Sequence, residues 1–186
     1  MTDMEILRQM IKDSAQVALV DSYDKKMAEL TEPQRPNSSV KVFGIPEAAI
    51  VIKADEFAPP LSVFRDVKGE CKRADFIIVA EADNIKVIIC IELKSGRHTV
   101  EQEIIQQLKG ALCFVGYCKE VGREFWNTPK FLDGYSYRFI CIKNISIPKR
   151  RTRFDKRIDV HDRPDKMLKI SGQRSLQFNH LAGSNR

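Results

Sequence analysis

The chain has 186 residues, 43% of them hydrophobic and 30% charged, with a formal net charge of +6. That length suits one domain with a full core, and no run approaches the ~18 uninterrupted apolar residues of a membrane-spanning helix. The start, Met1-Thr2-Asp3-Met4-Glu5, lacks the basic residues and apolar block of a secretory signal, and five cysteines without a CxxC pair point to reduced thiols in a cytoplasmic setting.

Thr2-x-x-Glu5 is a capping-box pattern. The apolar spacing Met4, Leu7, Met10/Ile11, Ala15 and Ala18/Leu19 then predicts an amphipathic helix reaching toward Leu30. Pro33, Pro36 and Asn37 mark a loop. Val40–Phe43 and Ala49–Ile52 read as short strands around a Gly44-Ile45-Pro46 turn, and Leu61–Phe64 as a further short strand after the Pro59-Pro60 break. Two nearly continuous apolar strands follow, Ala74–Ala80 and Val87–Lys94, the pattern of a hairpin buried on both faces. Thr99-x-x-Gln102 is a second capping box, and Val100, Ile104, Leu108, Ala111, Leu112 and Val115 form the core stripe of a helix over 100–115. Thr128–Gly134 is a loop and Tyr137–Ile142 a strand. Beyond Pro148 the chain is polar and basic, with one late apolar snippet at Leu176-Gln177-Phe178. Strands and helices in this order predict a mixed α/β domain, a central sheet flanked by helices. We divide it into a core over 1–147 and a basic extension over 148–186.

The hairpin carries the chemistry. With a turn centred on Asp83-Asn84, residue 82 faces 85 and Asp75 lies opposite Glu92, their Cβ atoms about 4.5–5.5 Å apart on one face. Two carboxylates side by side on a buried hairpin repel each other and resist desolvation, so a cation between them is the natural companion. Lys94 projects from the same face, because strand side chains alternate with period two. The bare [DE]-x-K pattern occurs four times, at Asp24-Lys26, Asp66-Lys68, Glu70-Lys72 and Glu92-Lys94. Only the last ends an apolar strand and faces a second carboxylate. Pro164-Asp165 has no such partner downstream. His98, His161 and His180 have no spacing suited to zinc.

These residues resemble the PD-(D/E)xK nuclease superfamily, with its restriction-endonuclease-like αβββαβ core. The likeness rests on Asp75 at the start of one strand, Glu92-Leu93-Lys94 at the end of the next, and the order of elements over 1–143. Ala74 stands where the family's namesake Pro would be. The resemblance implies a metal-dependent nuclease acting on phosphodiester bonds, DNA favoured, with Asp75, Glu92 and Lys94 catalytic. It implies Mg²⁺ or Mn²⁺ held by Asp75, Glu92 and the Leu93 carbonyl, hard oxygen donors for a hard cation. Some relatives add an acid on the first helix and a Gln on the helix after the motif. Glu5, Asp13, Asp21 and Glu29 are candidates for the first, Gln106 and Gln107 for the second, with Gln107 better placed beside the apolar stripe. The alternative is an inactive module of the same fold that binds nucleic acid or a protein.

The charge is unevenly placed. Residues 148–174 hold ten Lys/Arg against four Asp, whereas residues 1–147 are close to neutral. Lys149, Arg150, Arg151, Arg153, Lys156 and Arg157 are the candidate nucleic-acid contacts, a polyanion being the natural partner of such a segment and a membrane the lesser one. A small chain without an evident recognition domain suggests a homodimer or a component of a larger complex.

Overall fold

The computed structural model describes residues 1–32, 38–82, 85–95, 100–143 and 160–183. Helix α1 spans Asp3–Met10. Its capping box forms as predicted: Thr2 N–H donates to Glu5 Oε2 at 2.7 Å, and Glu5 N–H donates to Thr2 Oγ1 at 3.3 Å. The helix then stops, twenty residues short of its predicted end. Residues 20–31 instead form a hairpin of β1 (Val20–Ser22) and β2 (Lys25–Thr31). Tyr23 turns the corner at a φ of 55°, and in β2 Ala28 and Leu30 are buried while Glu29 is exposed. Period two thus overrides the weak helical spacing beyond residue 11.

Strand β3 (Ser39–Ile45) pairs with β2, and β4 (Ala49–Lys53) starts the second sheet. Residues 61–64, read above as a strand, form a turn: Val63 and Phe64 N–H both donate to the Pro60 carbonyl. The predicted hairpin is present as β5 (Phe76–Ala82) and β6 (Ile85–Lys94), with Ala82 opposite Ile85 and Phe76 opposite Ile91. Helix α2 covers Glu101–Phe125, ten residues beyond its predicted end. Its N-terminal Val100 provides no side-chain cap, and Thr99 lies outside the described residues. Strand β7 is Ser136–Lys143, after which β8 (Leu168–Ser171), β9 (Ser175–Gln177) and the short α3 (Phe178–Ala182) follow.

The strands make two sheets, ordered β1-β2-β3-β9 and β4-β5-β6-β7-β8. In the larger one β4, β5 and β6 are antiparallel, and β7 and β8 run parallel to β6. Alternate residues of its strands feed different cores. Ile50, Ile52, Ile77, Val79, Ile88 and Cys90 pack against α1 and α2. Val51, Ile78, Ile89, Ile91 and Ile140 pack against the smaller sheet and α3. The fold is therefore α/β with helices on both faces of a mixed sheet, and the face shared with α3 carries a second sheet as well. The last elements are bound into both sheets: β8 adds to β7, β9 pairs parallel with β3, and Arg138 Nε donates to the Ala182 carbonyl at 2.9 Å.

One contact fixes how the chain enters β5. A Cβ built on Gly110 of α2 would lie 1.7 Å from the Lys72 carbonyl oxygen, so only glycine lets residues 72–73 cross the helix so closely. Gly116, on the same helix, has nothing within 4 Å of such a Cβ. Gly110→Ala should lower stability by about 1–3 kcal/mol through overpacking, whereas Gly116→Ala should raise it by about 1 kcal/mol through helix propensity. Urea denaturation of both variants measures the contrast.

Candidate functional site

Asp75, Glu92 and Lys94 share the helix-facing side of the larger sheet, as their parity with Ile77 and Cys90 requires. Phe76 opposite Ile91 sets the register, so the next facing pair is Asp75 and Glu92. Asp75 stands just before β5, and its Oδ2 accepts a hydrogen bond from Leu93 N–H at 2.7 Å. Its own carbonyl accepts from Ala54 N–H at 2.8 Å. The carboxylate is thereby held on the rim of β6 by backbone on both sides.

Glu92 is fully buried. Lys94 Nζ lies 2.5 Å from its Oε1, and neither carboxylate oxygen receives a well-aligned hydrogen bond from any described residue. A charged oxygen with no donor inside a sheet is costly, and natural cores pair such atoms or bind an ion to them. Burial raises the Glu92 carboxyl from its ordinary value to about 8, the negative charge of Asp75 pushes it further the same way, and Lys94 pulls it back. Burial likewise raises Asp75 to about 6; the Leu93 N–H and Lys94 oppose this, while Asp55 and Glu32 add to it. For Lys94, burial disfavours the ammonium, but Glu92 and Asp75 outweigh it and the net shift is upward. Lys94 is thus held as a cation against two carboxylates that resist ionising together.

Lys94 opens onto a cleft whose walls include Lys72, Arg73, Glu103 and Gln107. Gln107 therefore faces the site from α2. Gln106 does not: its amide bridges the Lys68 carbonyl and the Lys72 ammonium. Glu5 is exposed and taken up by its capping box. Its neighbour Asp3 accepts from Leu132 N–H and acts on Tyr135 and Lys86, around Glu81 at the far end of β5. That is six residues, about 20 Å, from Asp75, so Glu5 is no accessory to the site. The helix it was assigned to ends at Met10, so Asp21 and Glu29 lie on strands β1 and β2. Lys149, Arg150, Arg151, Arg153, Lys156, Arg157 and His98 lie outside the described residues.

Four neighbours escaped the sequence reading. Lys72 and Arg73 line the cleft because Gly110 admits their backbone. Glu32 and Asp55 lie close enough to act on Asp75. Glu32 is 8% exposed, and its Oε2 has no partner among the described residues. Its signal was available in the alternation Ala28, Leu30, Glu32, which places it on the inward face of the smaller sheet. Among the described residues no three His, Cys, Asp or Glu side chains converge on one point; the site has two carboxylates, one lysine and a strand backbone. Comparison with protein-family models, curated proteins and solved structures finds no match to this chain.

The raised carboxyls fix the sign of a pH effect. Between about pH 4 and 8 Asp75 and Glu92 hold more protons folded than unfolded, so without divalent cations their contribution to stability falls as pH rises through that window, while His161 and His180, lowered by burial, act in the opposite direction. In EDTA, melting should occur at a higher temperature at pH 5 than at pH 8. Glu92→Gln should recover several degrees at pH 8 and flatten the profile, each ~1 kcal/mol being worth roughly 2–4 °C at this size. Differential scanning fluorimetry across pH reads both.

Proposed function

We propose that the chain is a metal-dependent nuclease of the PD-(D/E)xK type, acting on phosphodiester bonds and favouring DNA. The observation that carries this reading is the fully buried Glu92 carboxylate, set opposite Asp75 and against Lys94, which itself lines a cleft. The order α1, β4, β5, β6, α2, β7 supports it, with three antiparallel strands followed by a helix and a parallel fourth. It follows the αβββαβ order the motif implies, with three strands of the smaller sheet, β1 to β3, inserted between α1 and β4.

The donor set suits Mg²⁺ or Mn²⁺. Asp75 and Glu92 offer hard oxygens, and the Glu92 Oε2 has no protein partner among the described residues. Leu93 directs its N–H toward Asp75, and the carbonyl of the same strand residue points to the same side. These three groups would hold the ion, which supplies a Lewis acid and a water of lowered pKa when bound. Lys94 orients the attacking water by its ammonium and offsets the charge developing on the phosphoryl oxygens. Gln107, Lys72 and Arg73 contact the phosphates flanking the scissile bond.

Lys143, the last residue of β7 and five residues before Pro148 in the sequence, is the register partner of Lys94. Phosphate contacts in the basic segment contribute affinity without reading bases. The alternative of an inactive binding module keeps the same surface and lacks turnover. An unrelated domain with merely exposed hairpin acids is disfavoured by the burial of Glu92.

Digestion of linear, circular, single-stranded and branched DNA with Mg²⁺ or Mn²⁺ should yield products that EDTA suppresses. Asp75→Asn, Glu92→Gln and Lys94→Ala should each lower the rate by roughly a hundred- to a thousandfold or more, with Lys94→Ala still stabilised by the metal in a melting assay. Full activity of Asp75→Asn would refute the assignment. Replacing Lys149, Arg150 and Arg151 with Ala should reduce the log–log salt slope of binding by roughly 2–3, about 0.9 for each phosphate no longer neutralised; an unchanged slope removes that segment from the interface.

A further inference from the structure

Among the described residues, the connection from β4 to β5 is the most conspicuous apolar surface. Leu61, Val63, Phe64 and Val67 are 59%, 77%, 53% and 71% exposed within seven residues. Scattered exposed hydrophobics need no explanation, but a contiguous group on one loop does. This loop is not loosely held. Leu61 N–H donates to the Pro59 carbonyl, and Val63 and Phe64 N–H to that of Pro60. Both acids of its second half hydrogen-bond the loop's own backbone, Asp66 half-buried and Glu70 exposed. Asp66 Oδ1 accepts from Cys71 N–H at 3.0 Å, and the two Glu70 oxygens accept from Val67 and Lys68 N–H at 3.1 and 2.7 Å. Arg65 and Lys68 are left exposed beside the apolar tip.

Both carboxylates thus brace the loop through its backbone N–H groups, and residues 61–73 still carry four cations against these two acids, with the large apolar groups exposed among them. The same loop borders the cleft onto which Lys94 opens: Pro59, Leu61 and Asp66 line it together with Lys72, Arg73 and Lys94. Apolar tips flanked by cations are what a stack of nucleobases on a phosphate backbone would meet. Phe64 can stack on a base, an aromatic contact worth about 1–3 kcal/mol, Leu61 can wedge at a base step, and a preorganised loop loses little entropy in doing so.

We propose that Leu61, Val63 and Phe64 engage unstacked bases beside the scissile phosphate, so that single-stranded or branched DNA, rather than continuous duplex, is the preferred substrate. Arg65 and Lys68 hold the adjoining backbone. This inference rests on the nuclease reading above and specifies its substrate class.

The test compares wild type with a Leu61→Ser/Val63→Ser/Phe64→Ser variant in Ca²⁺. The probes are a 20-nucleotide oligo-dT and a duplex of the same length, read by fluorescence anisotropy, with a forked substrate carrying 2-aminopurine at the junction as a reporter of unstacking. Because the three side chains are exposed, the variant should melt within about 2 °C of wild type. We expect its single-strand affinity to fall about tenfold, its duplex affinity to change less than twofold, and the 2-aminopurine enhancement to disappear. Equal losses on both probes, or none, would overturn the proposal. So would a concentration-dependent dimer that the substitutions abolish while single-strand affinity stays intact, since the loop would then be a self-association surface. Failure of the nuclease reading is separable: wild type would cut none of these DNAs with Mg²⁺ or Mn²⁺, whatever the anisotropy shows.

Discussion

A carboxylate with no access to water, Glu92, sets the terms for the rest of this structure. Its only close counter-charge among the described residues is the ammonium two residues further along the same strand, and the residue across the hairpin is a second acid. Burying an ion pair stabilises a fold weakly at best, because desolvation offsets most of the attraction. Adding Asp75 to that neighbourhood turns the balance against stability. A hydrophobic pair at these two positions would continue the apolar strands on either side. The arrangement is thus costly where it stands, and carboxylates kept in such surroundings mark sites of chemistry more often than sites of architecture.

Both faces of the larger sheet must be covered for this to work. The helices α1 and α2 close the side on which the three polar groups project, and the smaller sheet closes the other. Because the sheet is sealed on both faces, β5 and β6 can be almost uniformly apolar and their register is fixed by packing and by the tight reversal. The close crossing at Gly110 then brings Lys72 and Arg73 over the helix to the same cleft. Charge, register and crossing point act together, and none of the three would place the cleft alone.

The hairpin was legible in the sequence because two long apolar runs and a two-residue turn leave one register, and that register alone puts Asp75 against Glu92. The α1 cap was legible for a similar reason, two side chains reaching reciprocal backbone donors. What was not legible lay in places where local pattern is ambiguous. Residues 12–31 contain apolar residues at spacings that suit a helix, yet the alternation from Ala28 to Glu32 serves a sheet whose partner, β3, lies beyond a proline-rich segment. Leu61–Phe64 has strand-like composition, but Pro60 accepts two turn hydrogen bonds from it instead. Glu32, Asp55 and Arg73 reach the site only through tertiary contacts, for which a linear pattern holds no signal beyond the parity of Glu32.

The way the final elements are sewn in changes what kind of object the basic segment is. It departs from the end of β7 at Lys143 and has returned by His161, whose carbonyl accepts from Phe139 N–H and whose ring meets the Leu181 carbonyl. Both anchors lie on or beside one strand, and the chain beyond them supplies an outer strand to each sheet. A single cut anywhere in residues 144–159 would therefore release nothing. The two fragments would stay joined through β8, β9 and α3, which pair with or bond to strands on the N-terminal side of the cut.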